Sequence, residues 1–112
     1  MTADNGMQEK RKHRRKRVKI LALLKMGIYI NGRGYAKDIS KNGMCLVAPN
    51  IFQFMKQSQI SDSIGSHIRI MFPSQNLTIN GTLIRIDPAK GEGALAITGT
   101  SDDAAWEKIC TE

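Results

Sequence analysis

This sequence predicts a small antiparallel β-barrel or sandwich with one helix at its C-terminus. Three observations carry that expectation. Short runs of β-branched and apolar residues recur along the chain with a period of two. Clusters of Gly, Pro, Asn and Asp separate them at regular intervals. One acid-led, helix-prone stretch follows the last of these runs.

The elements follow in order. Residues 1–9 (MTADNGMQE) are polar and without period, as expected of a chain terminus. Residues 10–19 (KRKHRRKRVK) form a basic arm, in which repulsion between like charges favours an extended or frayed chain. From Val18, Ile20 and Ala22 alternate with Lys19, Leu21 and Leu23 as a first strand, and extended character continues through residues 25–31. Asn31-Gly32-Arg33-Gly34 reads as the first turn, because Asn-Gly tolerates positive φ. Tyr35–Ile39 resumes a strand, Ser40-Lys41-Asn42-Gly43 turns, Met44–Val47 is a third strand, and Pro49-Asn50 ends it. Residues 51–63 supply either a short helix face or a loop, with Phe52, Phe54 and Met55 covering a barrel mouth. Ile64–Phe72 reads as a strand in which His67 lies on the face opposite Ile68 and Ile70. After the turn at Pro73-Ser74-Gln75, Leu77–Ile86 is long and β-rich, with Gly81 as a bulge or bend. Asp87–Gly91 turns and Gly93–Ile97 is the last strand. A helix over about 101–111 starts at Ser101 as cap, with Asp102 and Asp103 favoured by the helix dipole. Trp106 is its expected anchor on the β-structure.

The division expected is therefore a flexible N-terminal arm over 1–17 and a β-domain over 18–112. The chain has 112 residues, 17 Lys+Arg and 10 Asp+Glu, a net charge of +7. Eight of the bases lie within residues 10–19, so the remainder is close to neutral. Apolar residues at 41% exclude a wholly disordered chain. The longest apolar run, Ile20–Leu24, is too short to cross a bilayer, and no secretory signal pattern is visible. Cys45 and Cys110 suggest neither a metal site nor a disulfide framework, which fits a reducing, cytoplasmic setting. With two histidines and no Ser/His/Asp pattern, HExxH or phosphate-binding glycine loop, a binding module is expected rather than an enzyme.

Two features carry the functional expectation. The first is the arginine cluster Arg11, Arg14, Arg15 and Arg17, whose guanidinium forks match phosphate oxygens and the O6/N7 edge of guanine. The second is the turn Asp38-Ile39-Ser40-Lys41-Asn42-Gly43. Asp38 can accept from the N1–H and N2–H of a guanine, Ser40 can donate or accept, and Gly43 permits close approach of backbone to a ligand. An arginine arm folded onto such a turn would enclose a small, doubly anionic guanine nucleotide.

These residues resemble the PilZ domain family. Arg11-Lys12-His13-Arg14-Arg15 matches its RxxxR motif, and Asp38-Ile39-Ser40-Lys41-Asn42-Gly43 matches its DxSxxG motif at a strand junction. The resemblance covers roughly residues 9–112. It implies a six-stranded antiparallel β-barrel and a non-catalytic receptor for cyclic di-GMP, needing no cofactor. The arginines would contact phosphates and guanine edges, Asp38 and Ser40 would hold a guanine, and the arm would wrap onto the barrel with ligand. Arg11 and Arg15 are the only pair with arginine at both ends of the RxxxR spacing; Arg14 and then Arg17 are the next candidates. As a stand-alone receptor it would signal through an effector protein, without membrane insertion or nucleic acid. The competing readings are a degenerate PilZ-like adaptor that binds only protein, and a basic barrel holding nucleic acid through the arm.

Overall fold

Alternation of large apolar with polar or small side chains decides which way each strand faces, and here it closes a barrel. In the computed structural model, residues 15–28 and 30–111 are described. Six strands, β1 (Lys16–Met26), β2 (Ile30–Ser40), β3 (Gly43–Val47), β4 (His67–Phe72), β5 (Leu77–Asp87) and β6 (Glu92–Thr100), pair antiparallel in the closed order β1-β2-β3-β6-β5-β4. Closure leaves no unpaired sheet edge. Ala22, Leu24, Ile39, Leu46, Ile70, Ile79, Leu83 and Leu95 point inward and are buried. The expected architecture of six strands with a C-terminal helix is the one observed.

The two ends of the barrel are closed by different means. Between β3 and β4 the chain forms α1 (Pro49–Phe52) and α2 (Gln57–Ser63). Phe52 is fully buried at that end, so the segment does cover a barrel mouth. Met55 packs against the core beside it, but Phe54 is 75% exposed. At the other end lies α3 (Asp103–Thr111), whose Trp106 is buried with its ring centroid 6.3 Å from that of Phe72. Ala105, Ile109 and Cys110 complete the apolar side of α3.

Several local expectations are corrected. The first hairpin turns at Gly27-Ile28, where Gly27 has φ +65°, and Asn31-Gly32-Arg33-Gly34 lies inside β2. Gly32 and Gly34 serve packing instead. A Cβ on Gly34 would sit 2.2 Å from the Val47 carbonyl oxygen, and one on Gly32 would sit 2.9 Å from Ile51. β4 begins at His67 rather than Ile64, because Gly65 at φ +89° ends the preceding segment. Helix α3 is capped by Asp102, which accepts from the Ala105 N–H at 3.1 Å; the Ser101 hydroxyl instead accepts from the Thr78 N–H at 2.9 Å. Gly81 does mark a register shift in β5. His67 is exposed and hydrogen-bonded to Asn80.

Candidate functional site

The site is built where the start of β1, the β2–β3 hairpin and α3 meet at one end of the barrel. Ser40 and Gly43 are cross-strand partners, so Lys41-Asn42 is a two-residue hairpin loop. The loop is held from two sides. The Asn42 carbonyl accepts from the Ile97 N–H of β6 at 2.9 Å, and the Lys41 carbonyl accepts from Trp106 Nε1 at 3.1 Å. The anchor of α3 thus also fixes the turn that carries Ser40. The start of β1 is tied to the same helix, because Lys16 Nζ donates to the Ile109 carbonyl at 2.8 Å, where the helix dipole favours a cation.

Asp38 reaches the surface through a β-bulge. Ala36 and Ile39 are both fully buried, although strict alternation would turn one of them outward. The register shift between Ala36 and Asp38 accommodates the extra residue, Lys37, and leaves Asp38 on the outer wall. Arg15 lies 23 residues before Asp38 in the chain, and its Nη1 is 3.5 Å from Asp38 Oδ1. The Arg15 side chain is 52% exposed and that of Asp38 is 19% exposed. Arg17 is exposed on β1 and is the cross-strand partner of Asp38. The structure therefore brings together Arg15, Arg17, Asp38, Ser40 and Gly43, while Arg11 and Arg14 lie outside the described residues. The strand takes in Lys16 and Arg17, the last two residues assigned above to the arm.

Gly43 does not adopt a positive φ. A Cβ there would meet the Leu95 carbonyl oxygen at 3.5 Å and Ser40 Oγ at 3.6 Å, ordinary contacts. Its bare Cα instead leaves the approach to the Ser40 hydroxyl open. The neighbouring wall is equally low. Gly43 pairs with Ala96, and Cys45 with Ala94, on the side of the sheet that carries Asp38, with Cys45 itself buried beneath its neighbours. This floor of small side chains was not singled out from the sequence. Its signal is the alternation of Gly43 and Cys45 with Met44 and Leu46, and of Ala94 and Ala96 with Leu95.

Electrostatics sharpen the wall. Lys37 Nζ donates to Glu92 Oε2 at 2.8 Å, which raises the ammonium pKa above its ordinary value. Cys45 lies 3.7 Å from the other Glu92 oxygen. Burial pushes its thiol up to about 11, with the charges of Glu92 and Asp38 adding to the effect. Cys45 is thus a protonated, unreactive thiol at neutral pH, packed under the wall rather than in the barrel interior. Cys110 is also raised, chiefly by burial. No group of His, Cys, Asp and Glu suited to a metal ion occurs among the described residues, and no helix among them is long and apolar enough to cross a membrane.

Comparison with known proteins supports the barrel fold. No curated protein matches the sequence. Among solved structures, the PilZ domain of CeSA from a cellulose-synthesizing bacterium superposes with a TM-score of 0.65 at 15% identity, covering 88% of this chain and 95% of that one. MrkH of K. pneumonia, in a complex with c-di-GMP, gives 0.63 at 15% identity over 90% of this chain and 51% of that one. The inhibitor of motility MotI/DgrA of Bacillus subtilis gives 0.59 at 16% identity over 90% and 49%. This chain spans about half the length of the latter two. The model of the PilZ domain matches residues 9–108, nearly the whole chain, and this chain belongs to the PilZ domain family.

Proposed function

We propose that this chain is a receptor for cyclic di-GMP rather than an enzyme, and that it holds the nucleotide through its arginine arm and the Asp38–Gly43 turn. The observation that carries the reading is the meeting of Arg15 with Asp38 across β1 and β2. The pair is exposed, so it is worth only about 0–1 kcal/mol and yields readily to a ligand. A guanine whose N1–H and N2–H face Asp38 takes over the carboxylate. Arg15 is then released to a phosphate or to the O6/N7 edge, with Arg17 beside it and Arg11 and Arg14 further along the arm. The floor of Gly43, Cys45, Ala94 and Ala96 leaves room for a flat purine next to Ser40. Membership in the PilZ domain family and the nucleotide complex of its structural neighbour MrkH support the same reading. Ordering of the arm onto the barrel would change the surface offered to an effector protein. A nucleic-acid role is less well supported, because Phe72 is buried and Tyr35 already lies under Lys19.

The test is base discrimination. Asp38→Ala should lose most of the preference for cyclic di-GMP over cyclic di-AMP in a binding titration, because adenine lacks the N1–H and N2–H donors. Equal weakening toward both nucleotides would contradict the role given to Asp38.

A further inference from the structure

The outer wall formed by β1, β2 and β4 carries a surface that the nucleotide reading does not use. Strand alternation normally turns polar residues toward water, yet Leu21 and Leu23 face outward, 46% and 39% exposed. Met71 of β4, the cross-strand partner of Leu23, is 45% exposed on the same face. These side chains line a wide, open cleft of about 1200 Å³. Its rim holds Lys19, Lys25, Arg33 and Arg69, and no carboxylate lines it among the described residues. Lys25 and Arg69 are direct cross-strand partners, a like-charge pairing that repels unless counter-charge is supplied.

We propose that this wall docks an acidic amphipathic helix of a partner protein. Three properties point to that occupant. The charge is of one sign, so the partner supplies carboxylates. Leu21 and Leu23 project about 7 Å apart along β1, close to the separation of helix residues at i and i+4. The apolar strip on β1 and β4 is narrow and lies between longer cationic side chains, a width that suits a helix of about 10 Å diameter better than a bilayer surface. Arg33 and Arg69 flank the floor on opposite sides, where they would meet Glu or Asp on the two edges of the helix's apolar stripe. The wall uses none of Arg15, Asp38 or Ser40, so the proposal stands or falls separately from the nucleotide site.

The experiment uses the full chain and a fluorescein-labelled synthetic helix of about 18 residues, with leucines at i and i+4 on one face and glutamates on both flanks. Fluorescence anisotropy should give saturable binding, with amide shifts confined to β1, β2 and β4. Replacing the peptide leucines by serine, or making Leu21→Ser with Leu23→Ser in the protein, should weaken binding about tenfold or more. Both protein substitutions are on the outer face, and an unchanged circular dichroism melt verifies that the barrel is intact. Absence of saturable binding would overturn the proposal. So would equal binding of the serine peptide, which would leave charge attraction alone. Binding of phosphatidylglycerol vesicles that is lost in the double variant, with no peptide binding, would also overturn it and assign the wall to a membrane surface.

Discussion

Arg15 is the residue on which the proposed nucleotide site turns. Its guanidinium faces one carboxylate at 3.5 Å and is half exposed. Arg15→Ala should therefore weaken cyclic di-GMP binding by about 1.5–3 kcal/mol, the range for a hydrogen bond to a charged group. The same substitution should leave the melting temperature of the free protein nearly unchanged, because an exposed pair contributes little to stability. A fall of several degrees would mean that Arg15 is structural. Cys45 makes the stability of the barrel depend on pH. Its folded pKa of about 11 lies above its ordinary value of 9.0, so the folded state retains the proton longer than the unfolded chain does. Stability is fully present below pH 9 and should fall as pH rises from about 9 to about 11. Thermal melts across that window test the sign, and Cys45→Ser should flatten the dependence.

At the scale of elements, the terminal helix and the candidate turn form one unit. Trp106 fills the barrel end against Phe72 and donates its indole N–H to Lys41. Trp106→Phe keeps much of the ring contact and leaves the Lys41 carbonyl without that donor, so stability should fall by about 1 kcal/mol from the hydrogen bond alone. Nucleotide affinity should fall as well, because the turn is no longer fixed from below; denaturant melts and binding titrations on the same variant measure the two effects. Affinity unchanged in a destabilised variant would separate the helix from the site. The elements also show what was legible in advance. The β2–β3 hairpin, the turns after β4 and β5 and the apolar side of α3 follow from local signals, so they stand close to where the sequence puts them. The first hairpin turn does not, because Asn31-Gly32 carries turn chemistry while its glycine answers a distant need, the approach of Ile51. The bulge at Lys37 is likewise set by the register with Leu46 and Cys45. The meeting of Arg15 with Asp38 was readable through motif order, whereas the low floor of Gly43, Cys45, Ala94 and Ala96 needs the pairing of β3 with β6.

At the scale of the whole molecule, charge and architecture divide the work. A closed barrel with both ends plugged supplies a rigid frame, since no strand edge is free to rearrange. Arg15, Lys16 and Arg17 lie at the end of that frame where Asp38, Ser40 and α3 converge. Lys16, next to Arg15, is held by the last turn of α3, so a ligand that moves Arg15 acts within reach of the helix. The β1, β2 and β4 wall lies along the strand that the arm leads into, so the two proposed sites, for nucleotide and for partner, would occupy separate surfaces on shared elements. Both the site and the arm are proposed to act through one binding event. Isothermal titration of the full chain with cyclic di-GMP at about physiological salt, with cyclic di-AMP and GTP as controls, tests it most directly. Saturable heat is expected with cyclic di-GMP alone. No heat, together with a melting temperature unmoved by excess ligand, would contradict it.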